Sequence, residues 1–188
     1  MVKKILLVLG ALAVLAVGYV AYVMLTTRNH SPAAVAEYKS GDVLIQVNYC
    51  QPYKKGRLIF GTEEQEALVP FSKPWRTGAN EATEISFSHD VLMNNRLLKA
   101  GRYSLYTIPD ATSWTVVFNS KLGYWGAKLG HSPFEENLDV MRVPASVQMD
   151  VPESEQFTIT LTPADSIVNL HFHWDKTMAT VPMTPVIK

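Results

Sequence analysis

Two kinds of hydrophobic pattern divide the chain. Residues 5–25 are uncharged throughout, and as a helix such a run spans about 31 Å, the hydrocarbon thickness of a bilayer. Beyond Gly41 the apolar residues alternate with polar ones. Val43, Ile45, Val47 and Tyr49 share one face of residues 43–49, opposite Leu44, Gln46 and Asn48, which predicts a strand. Similar short stretches recur at 57–60, 68–71, 84–88, 91–93, 96–98, 102–108, 114–119, 139–143, 157–161, 168–174 and 178–181. Turn residues separate them, and Asn94-Asn95 is a hairpin signal between two of them. One short helical piece is predicted at 134–138. Many short strands with frequent turns predict an all-β fold, an antiparallel β-sandwich or open barrel, preceded by one N-terminal transmembrane helix.

The apolar run is longer than the core of a signal peptide, and the best small-residue cleavage pattern, Ala34-Val35-Ala36, lies well past its end. Residues 1–27 therefore read as a membrane anchor in preference to a cleaved signal segment, 28–40 as a linker, and 41–188 as the β domain. Lys3, Lys4 and the N-terminal amine outweigh Arg28, so the N-terminus is expected inside and the domain outside. Composition adds a limit. Three of the 17 bases precede Glu37, the first of the 17 acids, so the part of the chain from Glu37 onward carries a net charge of −3. With no basic run, nothing argues for nucleic acid. A single Cys excludes an intramolecular disulfide.

Several segments together resemble a known family. Val47-Asn48-Tyr49, Gly56-Arg57, Ile59-Phe60-Gly61, Leu68-Val69-Pro70-Phe71, the run from Trp75 to Thr83 (WRTGANEAT), the run from Ala100 to Pro109, the run from Trp114 to Asn119 and Trp174-Asp175-Lys176-Thr177 are similar to bacterial domain-of-unknown-function family number 2911. The resemblance covers nearly all of the exported part, in order. It implies exported, β-rich proteins and supplies no activity, substrate or cofactor. Cys50 in place of Ser, the acidic stretch 62–67 and His171-Phe172-His173 depart from the family pattern, so a function read from these would be local.

The run around Pro74 to Thr83 concentrates the candidate chemistry. Extended, it would place Arg76, Gly78, Asn80 and Ala82 on one face and Trp75, Thr77, Ala79, Glu81 and Thr83 on the other. Arg offers a fixed fork of donors and Asn both donor and acceptor, a combination suited to a carboxylate or sugar hydroxyls. Glu81 has Arg57, Arg102 or Arg76 as candidate partners. Arg57, Arg76, Asn80, Glu81 and Tyr103 thus form the expected ligand-binding region, for a small polar ligand, a glycan or an envelope partner. The same residues equally describe an internal polar network that fixes a loop.

On 168–175, His171 and His173 share a face with Asn169 and Asp175, which presents two imidazoles as a metal site does. A third ligand would have to come from His89, His131 or a carboxylate, so a metal is the alternative and no other cofactor is expected. Cys50 lacks an identifiable base and reads as a small buried side chain. The glycines of 123–130 have no following Lys-Ser/Thr, and neither G-x-S-x-G nor H-E-x-x-H occurs. The sequence predicts a membrane-anchored envelope protein with a non-catalytic binding module; the alternatives are a metal-binding protein or metal-dependent enzyme using His171 and His173, and a purely structural envelope domain.

Overall fold

In the computed structural model, residues 2–125 and 134–187 are described. The helix α1 (Val2–His30) is followed by β1 (Ala33–Ser40), β2 (Val43–Cys50), β3 (Phe60–Gly61), β4 (Val69–Pro70), β5 (Thr83–Phe87), β6 (Val91–Met93) and β7 (Arg96–Leu98). Then come β8 (Gly101–Pro109), β9 (Ser113–Asn119), β10 (Asp139–Ala164) and β11 (Ile167–Pro185). Nine strands form one antiparallel sheet in the order β1-β2-β5-β8-β9-β10-β11-β6-β7, while β3 and β4 pair in parallel. The sheet is not closed into a barrel, and β1 and β7 are its edges. This is the mostly antiparallel β fold with an N-terminal apolar helix that the alternation predicts.

The turns follow from their residues. Asn94 and Asn95 sit at φ 47° and 59° between β6 and β7, the left-handed pair that a two-residue hairpin needs and that Asn tolerates. Gly41, at φ 58°, turns β1 into β2, and Asp165, at φ 52°, turns β10 into β11. Alternation sets the faces: Val168, Leu170, Phe172 and Trp174 of β11 are buried and the residues between them are not.

Three expectations are corrected. Residues 28–40 are no linker: α1 runs to His30, and β1 pairs with β2 from Ala33↔Cys50 to Ser40↔Val43. Only Ala36 of β1 is buried, so ladder hydrogen bonds hold the strand with little of the apolar alternation that sequence reading relies on. Second, 139–143 and 157–161 are the two ends of one strand, β10, and 168–174 and 178–181 both belong to β11. Register shifts between Met149 and Ser154, and between Ser154 and Thr158, break the alternation and bend the strand. Third, the helical piece is a single 3-10 turn, Glu136–Leu138.

Because β10 bends, the sheet curls over itself. Tyr53, just after β2, bridges Gln156 in mid-β10, and the Tyr49 hydroxyl meets the backbone of Ile159, accepting from its amide at 3.0 Å. The enclosed core draws Ile45 and Val47 from β2, Leu105 from β8, Trp114 and Phe118 from β9, and Phe172 and Trp174 from β11. By contrast α1 packs none of its apolar window inside the molecule. It is long and apolar enough to cross a membrane.

Candidate functional site

The stretch from Trp75 to Thr83 is a compact loop ending in β5. Its backbone is fixed at Trp75, whose amide donates to Thr107 O at 2.7 Å and whose carbonyl accepts from the Thr107 amide at 2.9 Å. The Trp75 ring stacks on Trp174, with centroids 5.8 Å apart and planes 21° apart. It also meets Phe157, Phe60 and Trp114 edge-on. Four aromatic rings therefore converge on one residue of the loop.

Hydroxyls tie the next residues down. Thr77, Thr83 and Thr107 are all fully buried. The Thr83 hydroxyl donates to Thr77 O at 2.7 Å, and the Thr77 hydroxyl lies 3.1 Å from that of Thr107. Thr77 (φ 55°), Gly78 (φ 148°) and Asn80 (φ 57°) all take left-handed backbone. For a β-branched Thr that is a strained conformation. A Cβ on Gly78 would lie 2.9 Å from Cys50 O, so both the conformation and the space demand glycine. The extended strand considered from the sequence is thereby replaced by a loop, and the shared face for Arg76 and Asn80 does not form.

The loop sends its polar side chains to different places. The Asn80 amide donates to Ser31 O at 3.3 Å. Glu81 pairs with Arg28 at the end of α1, at 2.7 Å, instead of Arg57, Arg102 or Arg76. It also accepts from the Cys50 thiol at 3.5 Å. Partial burial pushes the Glu81 carboxyl up, but a backbone amide, Arg28 and Cys50 outweigh it and hold its pKa below the ordinary value. Arg102 pairs with Glu84 at 2.7 Å. Tyr103 is buried against Phe87 and Phe118 with its hydroxyl on Lys99 O, so it contributes packing away from this loop.

Arg76 is the exception. It lines a cavity of about 460 Å³ together with His30, Lys55, Arg57, Trp75 and Trp174. No acidic residue lines it among the described residues. The Arg76 Nε is buried without a hydrogen-bond partner. Burial lowers its pKa from the ordinary arginine value. Arg57 spends its Nε and one terminal nitrogen on Lys54 O and Tyr53 O, at 2.9 and 2.5 Å. Those carbonyls orient the guanidinium without neutralising it. The Lys55 ammonium lies 3.3 Å from His30 Nδ1. Neighbouring Lys54 is instead neutralised by Glu153 and Asp175, at 2.6 and 2.7 Å. Of the five predicted ligand residues, the structure brings Arg57 and Arg76 to one cavity and places Asn80, Glu81 and Tyr103 elsewhere. His30, Lys55 and Trp174 were missed. Lys55 carried a faint signal, standing two residues before Arg57 in one turn.

On β11, His171 has a threonine hydroxyl at each ring nitrogen, Thr162 at 2.7 Å and Thr180 at 2.9 Å. His173 Nε2 donates to Pro152 O at 2.9 Å. His89 faces Asp42 at 3.3 Å, and His131 lies outside the described residues, as do residues 126–130 of the glycine-containing loop. Among the described residues, no group of three or more His, Cys, Asp or Glu side chains is placed to hold a metal ion. Cys50 is buried, and burial pushes its thiol pKa up.

Fold and cavity together define a class: an antiparallel β module behind an apolar helix, carrying a cationic cleft on an aromatic floor. The chain belongs to the family described as Protein of unknown function (DUF2911), which matches residues 31–183. The match begins where α1 ends and takes in every strand from β1 into β11. No curated protein and no solved structure matches the chain.

Proposed function

We propose that this is a membrane-anchored envelope protein whose exported β domain binds a small polar ligand bearing a negative charge in the Arg76 cavity. One observation supports this above others: Arg76, Arg57 and Lys55 line a single cavity and none of their cationic side chains is ion-paired to a carboxylate among the described residues, Glu155 accepting only from the Lys55 backbone amide. A half-buried guanidinium left unpaired costs folding energy, and a ligand carboxylate or phosphate would supply the missing acceptors in the forked geometry that arginine matches. Trp75, half-buried at the cavity and stacked on the buried Trp174, offers apolar surface to the rest of the ligand. The polar segment therefore has two roles. Trp75, Thr77, Gly78 and Thr83 hold the loop, and Arg76 is presented by it.

The test is a thermal-shift and calorimetric screen of small carboxylates, phosphate esters and sugar acids on wild type and Arg76→Ala. A charge-assisted hydrogen bond contributes about 1.5–3 kcal/mol, so Arg76→Ala should weaken any hit by about tenfold to a hundredfold. A hit of unchanged affinity in a folded Arg76→Ala would remove this cavity as the site. The Lys3 and Lys4 flank supports export of the domain, which protease accessibility in intact cells checks.

A further inference from the structure

Resting on the anion-binding reading, we infer that the ligand's negative charge is the phosphate of an anionic membrane lipid, whose headgroup lacks a cation to offset it, taken from the leaflet through which α1 leaves the bilayer. Position is the first argument. α1 is unbroken to His30, and His30 itself lines the cavity. The uncharged run ends at Leu25, so His30 lies roughly 7–8 Å further along the helix axis. The polar zone outside the hydrocarbon is about 5–7 Å deep on each side. A wall of the cavity thus stands at the outer margin of the headgroups, where phosphate esters are present at high local concentration and a soluble metabolite is not.

Chemistry is the second argument. A headgroup phosphate offers oxygens to a guanidinium fork, and Arg76, Arg57 and Lys55 line one cavity with no acid among its described lining residues, the Glu155 carboxylate beside Lys55 being held by the Lys55 backbone amide at 2.8 Å. The rim is also apolar in the right place. Leu68 lines the cavity, its amide donates to Leu58 O at 3.0 Å, and the two are 43% and 46% exposed. Exposed leucines beside a cationic cleft suit a ligand whose phosphate continues into hydrocarbon. A free phosphate ester shares the charge chemistry but not the need for that rim or that height.

The experiment uses the full chain in nanodiscs, reading the unfolding midpoint from tryptophan emission. One arm compares phosphatidylcholine discs with discs that also contain phosphatidylglycerol. The other adds soluble glycerol phosphate to the phosphatidylcholine discs. The lipid inference predicts a midpoint several degrees higher with phosphatidylglycerol, a shift largely lost in Arg76→Gln and retained in Lys39→Gln at the far end of β1. A flexible Gly-Ser spacer of about ten residues placed between Leu25 and Thr26 should lift the domain by roughly 17 Å. It should abolish the lipid shift and keep any response to glycerol phosphate. If glycerol phosphate shifts the midpoint through Arg76 while phosphatidylglycerol does not, the lipid inference fails and anion binding stands. If neither shifts it, both fail. A lipid shift of equal size in Arg76→Gln would mean bulk attraction and also overturn the inference.

Discussion

Two adjacent residue types in one loop carry opposite demands, which makes them separable by mutation. Gly78 is required by its φ of 148° and by the 2.9 Å that a Cβ would leave to Cys50 O. Gly78→Ala should therefore cost about 1–3 kcal/mol in urea unfolding. Thr77→Val removes a fully buried hydroxyl beside Thr107 and should cost about 1–2 kcal/mol. Arg76→Ala should behave differently. It relieves a half-buried charge with no partner among the described residues, so stability should change by no more than about 0.5 kcal/mol or rise. A large loss in Arg76→Ala would assign the residue to the scaffold. The sequence singled out this stretch because Arg, Asn and Glu sat where a strand needs none. It misplaced their directions because Gly78 and Asn80, both turn-compatible residues, were read inside a strand.

Local turn chemistry was the most legible part of the elements. Asn94-Asn95 predicted its hairpin, and β6 and β7 occupy the expected residues. Both asparagines have positive φ, so alanine at either should cost about 1–2 kcal/mol, while Asn95→Gly should be neutral or stabilising. The buried Val91, Met93 and Leu98 make this more than a fraying edge, so the cost should appear in global unfolding measured by circular dichroism. Long-range features were less legible. β10 spans 26 residues, but its bends at Met149, Ser154 and Thr158 interrupt the alternation, and a reader of periodicity sees two strands. β1 is an edge strand held by pairing, with one buried residue, so its signal is in its partner and not in itself. The cavity was illegible for a related reason: His30, Lys55, Arg76 and Trp174 come from four separate points of the chain and line one cavity only in the folded molecule.

At the scale of the whole molecule, an anchor and a cleaved signal peptide would leave different products. The one small-residue cleavage pattern, Ala34-Val35-Ala36, lies inside β1, where Ala36 is buried and opposite Val47. Cutting there would strip the first half of the strand and bare the adjoining edge of β2, an association hazard for any sheet. It would also remove Arg28, the partner of Glu81, and His30 and Ser31 from the cavity wall. A protein whose fold and cleft both use the residues just past the helix gains nothing from that cut. The expected outcome is that peptide mapping of the purified protein finds the residues of α1 still joined to β1, with the protein staying in the membrane pellet through high salt and alkaline carbonate. A soluble product beginning near Glu37 would contradict the anchor and, by removing the helix that holds the cavity at headgroup height, the lipid assignment with it.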